Sequence, residues 1–167
     1  MIPDPDKSLL TLEEAVQWRN EMRRAGRKVA VTNGCFDLLH RGHASYLASA
    51  ANCADALLVL INSDESVRSL KGPERPLVCE TDRAYLLASL RAVDRVVIFS
   101  DRCCDRELAA LAPAVYVKAG DYTLETLAAP ERNALLGCGA DIRFMPFVSG
   151  LSTTAIVEKI RKEPAEK

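Results

Sequence analysis

Five short apolar runs, each giving way to a polar or glycine-bearing segment, constrain the fold of this chain more than any other feature. They are Lys28–Thr32, Ala56–Asn62, Arg95–Phe99, Ala114–Lys118 and Ile142–Phe147. A strand that is apolar on both faces has no side to offer water, so it belongs inside a layered structure. Helical patterns fall between the runs. Thr11 and Glu14 form a capping box that opens a helix ending at Gly26. Further helices are expected from Gly42 to about Ala54, from Ser63 or Asp64 through Leu70, and over Thr81–Arg91. Three more follow at Asp105–Leu111, about Leu124–Leu136 and Ser152–Arg161, the last capped by Ser152. Lys71–Glu80 carries two prolines and a glycine and is expected to be a loop.

Strand–helix alternation of this kind predicts an α/β fold: a Rossmann-like three-layer α/β/α sandwich with a mainly parallel five-stranded sheet. No repeat or linker divides the 167 residues, so one domain is expected, with its core over about 9–161 and frayed tails at 1–8 and 162–167. The 22 basic and 23 acidic side chains nearly cancel, which argues against nucleic acid or an anionic membrane as partner. No apolar run is long enough to span a bilayer, and MIPDPDKSLL lacks the pattern of a secretory leader, so cytoplasm is the expectation. The six cysteines form no CxxC pair and are read as reduced thiols, with no metal site.

Ligands of open parallel sheets bind beyond the carboxyl ends of the strands. That rule nominates Asn33–His43, Ser63–Leu70, Lys118–Tyr122 and Ser149–Thr154. In the first of these, NGCFDLLHRGH, His40 and His43 lie three residues apart across a helix start, and they are the only histidines in the chain. Both imidazoles can then share a face with unpaired backbone N–H groups, an arrangement suited to phosphate. Gly42 leaves room for a phosphate oxygen between them. Lys71 and Arg75 add cations on the following loop, and Arg83 suits either a phosphate contact or a salt bridge. Asp37 suits an Asx-type turn or a substrate contact. No GxxxxGK[ST] or GxGxxG occurs, and no Ser or Cys has a histidine partner outside this run.

The run TNGCFDLLHRGHASYL resembles the HxGH nucleotidyltransferases of the cytidylyltransferase-like superfamily, and within it the adenylyltransferases that make ADP-heptose. INSDESVRSLKG, KAGDY and GLSTTAIVEKI extend the resemblance over about Leu9 to Ile160, and the standalone form without an attached kinase is the expectation. It implies that His40 and His43 meet the nucleotide phosphates and that Asn33, Gly34, Cys35 and Phe36 border the nucleotide. It further implies nucleotide contacts from Lys118, Gly120, Asp121 and Tyr122, and from Ser152, Thr153 and Thr154 on the β- and γ-phosphates. Lys71 would meet the sugar phosphate as a catalytic cation, with Asp37, Asn62, Asp64, Arg75 and Arg83 on the substrate side. Relatives read KGGDY, so Ala119 is strained if that position needs a positive φ.

The reaction so implied is attack of a sugar 1-phosphate, D-glycero-D-manno-heptose 1-phosphate foremost, on the α-phosphorus of ATP, with loss of pyrophosphate. Mg²⁺ would travel with the triphosphate, and a homodimer is expected because relatives commonly dimerise. A cytidylyltransferase using CTP and glycerol 3-phosphate is the alternative within the class. A non-catalytic nucleotide-binding protein is the alternative outside it.

Overall fold

The computed structural model describes residues 4–146 and 152–162. Strands β1 (Val29–Gly34), β2 (Ala56–Asn62), β3 (Arg95–Phe99), β4 (Val115–Ala119) and β5 (Asp141–Met145) pair in parallel in the order β3, β2, β1, β4, β5. The sheet therefore grows in one direction from β1 to β3 and then restarts beside β1 with β4. This reversal leaves a crevice beyond the ends of β1 and β4, where neighbouring connections diverge.

The period of two along each strand divides the core into two layers. Leu58, Leu60, Val31 and Tyr116 pack under α1 (Leu12–Arg24), α5 (Asp105–Leu111) and α6 (Ala129–Cys138). Leu57, Val59, Ile61 and Val117 pack on the opposite face, with α2 (Arg41–Ala51) and α4 (Glu80–Ala88). Every residue of β2 is buried, as its uninterrupted apolar run requires. The expected α/β/α sandwich is thus observed, with all four strand pairings parallel.

Local boundaries differ where local chemistry decides them. The helix expected over Leu124–Leu136 begins only at Ala129 and runs to Cys138. Pro130 fits the first turn of a helix but not its interior, and Thr123 and Thr126 close a separate turn before it. Lys71 ends α3 (Asp64–Lys71) rather than starting a loop, and Gly72 at φ 96° terminates that helix. Residues 5–8, expected to fray, form a 3₁₀ turn capped by Asp4, and Leu9 bridges to Val96. The last strand closes at Met145; its expected end at Phe147 and the first half of the nominated segment Ser149–Thr154 lie outside the described residues. Ser152 opens α7 (Thr153–Lys162), its hydroxyl accepting from the Ala155 N–H at 3.0 Å.

Candidate active site

The crevice at the β1/β4 reversal is a cavity of about 920 Å³. Its floor is the carboxyl end of β1, continued by Cys35 and Phe36. Phe36 has φ 47°, a left-handed conformation that a bulky side chain adopts only when its surroundings fix it. Gly34 makes that fold-back possible, because a Cβ there would stand 3.0 Å from the Phe36 ring. The ring in turn meets His43 edge-on at 5.2 Å between centroids.

His40 is the N-cap of α2 in extended backbone, and His43 lies in the first turn. Their rings stack at 3.9 Å, and neither Nδ1 has a hydrogen-bond partner among the described residues. Burial, then the neighbouring His40 and Lys71, pushes the His43 imidazole from its ordinary 6.5 down to about 4. Burial also lowers His40. Burial thus favours the neutral form of both rings, and each keeps a buried Nδ1 with unused hydrogen-bonding capacity. A polyanion beside the pair would favour protonation and supply the missing partners.

The opposite wall is the start of α7. Ser152, Thr153 and Thr154 line the cavity, and the Thr153 hydroxyl reaches the Leu38 carbonyl at 3.3 Å. Two helix starts therefore border one space, each with N–H groups that no helical carbonyl can satisfy. Asp37, Gly42, Asn62, Lys71, Lys118 and Tyr122 complete the expected residues on the lining. Lys118 also lies 5.4 Å from the centre of the Tyr122 ring.

Other expected site residues are committed elsewhere. Arg83, expected among the substrate contacts, is fully buried. Its guanidinium donates to Asp64 at 2.8 Å, to the Cys35 carbonyl at 2.6 Å and to the Val78 carbonyl at 2.9 Å. These partners hold the turn after β1 against α3 and α4, so both Arg83 and Asp64 leave the lining. Asp37 borders the cavity, yet its carboxylate accepts from Arg75 at 2.7 Å and from the Leu77 and Val78 N–H groups at 2.7 and 3.1 Å. Burial opposes its charge, but these hydrogen bonds and the Arg75 cation outweigh it and hold the carboxyl below its usual range. Arg75 is spent on the same contact and does not line the cavity.

At the end of β4, Ala119 has no positive φ; Gly120 takes that conformation at 114°. The strain that alanine would bring to this loop therefore does not arise. Gly120 is buried behind the lining and Asp121 points to solvent, so neither side of the loop tip borders the cavity. Arg102, Cys103, Thr126, Ala128 and Glu131 do border it, and none carried a sequence signal. Arg102 and Cys103 follow β3, a strand end that was not nominated, and the strand-end rule extended to it is the one signal that reaches them. No three His, Cys, Asp or Glu side chains stand together as a metal site among the described residues. No helix among them is long and apolar enough to cross a membrane.

A parallel sheet whose reversal point holds two helix starts and a histidine pair defines a nucleotide-handling α/β protein. Residues 31–159 match the model of the Cytidylyltransferase-like family, and the chain belongs to that family. It is a nucleotidyltransferase by class. The chain is 45% identical over 159 residues to the bifunctional protein HldE of Geotalea uraniireducens, covering 95% of this chain and 32% of that protein. It is 41% identical over 158 residues to the bifunctional protein HldE of Vibrio cholerae, covering 95% of this chain and 33% of that protein. The chain thus spans about a third of the length of these relatives. In structure it is similar to a lipopolysaccharide core biosynthesis protein from Thermoplasma volcanium, with a TM-score of 0.60 at 22% identity. That likeness covers 74% of this chain and 98% of the other, and it supports the fold.

Proposed function

We propose that this protein transfers the adenylyl group of ATP to a sugar 1-phosphate, D-glycero-D-manno-heptose 1-phosphate foremost, releasing pyrophosphate. The observation that carries the reading is the stacked His40–His43 pair facing the start of α7 across one cavity. Between these walls a triphosphate meets helix-start N–H groups and hydroxyls on one side and two imidazoles on the other. The similarity to HldE proteins over nearly the whole chain supports the choice of sugar phosphate.

The substrate phosphate is the nucleophile, already ionised at neutral pH, so no protein base is required. Its oxygen attacks the α-phosphorus in line; the bond to the bridging oxygen breaks, and the electron pair leaves with pyrophosphate. His40 and His43 stabilise the charge gathering on the transferred and departing phosphates. Lys71, which enters no ion pair among the described residues, neutralises the approach of two anions from the end of α3. Lys118 acts from the end of β4. Mg²⁺ supplies charge neutralisation when bound with the triphosphate. The donor-rich lining fits phosphate oxygens, and Asp37 and Glu131 are engaged by protein donors, which leaves the ion to the phosphates.

Pyrophosphate release measured with ATP or CTP, against heptose 1-phosphate or glycerol 3-phosphate, tests the reading. Turnover with ATP and the heptose phosphate is expected. Turnover confined to CTP and glycerol 3-phosphate would replace both substrates, and nucleotide binding without release would replace the reaction.

A further inference from the structure

Beneath the cavity lies a buried polar cluster that the transfer reaction does not itself require. Glu131, in the first turn of α6, is 5% exposed. Its Oε1 accepts from the Asn33 side-chain amide at 3.2 Å and from the Cys104 N–H and Sγ at 3.4 and 3.3 Å. Its Oε2 stands 3.7 Å from the Lys118 ammonium, close enough for charge attraction and too long for a hydrogen bond. Lys118 donates to Asn33 Oδ1 at 2.7 Å, and the fully buried Tyr116 hydroxyl donates to the same oxygen at 2.7 Å. The Asn33 carboxamide is thereby fixed at both ends, and Lys118 has one hydrogen bond and one opposite charge behind it.

An ammonium carries three donors, so this arrangement leaves others free for the cavity that Lys118 lines. A lysine has a long, flexible stem, and alone it would exchange many rotamers and drift toward water. The carboxylate removes that freedom because leaving would strand a buried charge. Glu131 reaches this position from an element about ninety residues beyond the histidine motif in sequence.

We infer that Glu131 is a positioning residue for nucleotidyl transfer: with Asn33 it holds the Lys118 ammonium in place at the end of β4, aimed at the bound phosphates. The inference rests on the reading of the cavity as the transfer site. A purely structural role has a definite alternative form, since Glu131 also ties the start of α5 to α6 through Cys104.

The test is a double-mutant cycle of Glu131→Gln and Lys118→Met, followed by kcat/KM for the nucleotide and by thermal melting. Glu131→Gln is expected to lower kcat/KM about 10- to 100-fold, the cost of a misplaced group, while folded protein persists. In the Lys118→Met background the same change is expected to cost less than about twofold, because its target is gone. Glu131→Asp keeps the charge and is expected to recover part of the loss; it also replaces Gln in the cycle if Gln does not fold. Equal losses in both backgrounds, or an intact kcat/KM with only a lower Tm, would overturn the inference.

A second readout needs no turnover. In protein carrying ¹³C-lysine, the Lys118 Cε resonance, assigned by its absence from Lys118→Met, is expected to shift in Glu131→Gln or Glu131→Asp. An unmoved resonance would overturn the inference even in an inactive enzyme. Absence of pyrophosphate release from the unaltered protein with every nucleotide would instead sink the underlying reading, leaving the resonance to decide the positioning.

Discussion

Two groups of basic side chains lie along the carboxyl edge of the sheet, and the protein uses them differently. Around the β1 turn, Arg75 and Arg83 are matched to Asp37 and Asp64 and to backbone carbonyls. Across the cavity, His40, His43 and Lys71 enter no ion pair among the described residues, and Lys118 keeps free donors. The first group fixes geometry; the second offers lysine charge and unspent hydrogen-bonding capacity. Proximity to the crevice therefore says little about role. What matters is whether a side chain's capacity is already consumed.

This contrast can be broken from either side. The largest effect is expected at His43: His43→Ala should lower kcat on the order of 10²- to 10³-fold, as loss of a transition-state donor does. ATP affinity by calorimetry should change far less, and equal losses in both would make the histidine a simple binding group. In the matched group the cost should appear as stability. Arg83→Leu leaves two carbonyls and Asp64 without their donor, and should cost about 3 kcal/mol in denaturant unfolding, the low end for a broken buried pair. The low end applies because Asp64 keeps 24% exposure. A loss under about 1 kcal/mol would show that the ion pair is not what holds the turn.

The depressed histidine gives a pH test. Its unfolded form titrates near 6.5 and its folded form near 4, so between these values the unfolded chain binds more protons. Stability from neutral His43 is therefore present above about pH 6.5 and is lost progressively as pH falls toward 4. Melting temperatures across that window should fall more steeply in the unaltered protein than in His43→Asn, and parallel curves would remove His43 as the cause. The smallest effect is expected at the surface pair between Arg161 and Glu74, which are 70% and 80% exposed. Removing either side chain should change stability by less than about 0.5 kcal/mol, with water and salt screening the pair.

The strands were legible because burial on both faces of a parallel sheet demands continuous apolar runs; β3 and α5 fall where the sequence puts them. The phosphate-facing motifs were legible because helix starts and strand ends are local events. Glu131, Arg102 and Cys103 were not, since each reaches the cavity from an element whose own sequence carries no matching signal. Arg75 read as a candidate phosphate contact, and Arg83 as either that or the salt bridge it makes with Asp64, for the converse reason: a sequence shows a charge but not its partner.

The histidine motif, the strand–helix alternation and the caps at Thr11 and Ser152 were thus decided by the sequence, because each depends on residues within a few positions of one another. Tertiary structure decided which charges remain available, the pairing of Asp37 with Arg75, the lowered basicity of His43 and the placing of Glu131 behind Lys118. Those properties depend on burial and on neighbours tens of residues away, and both exist only once the sheet has closed its core.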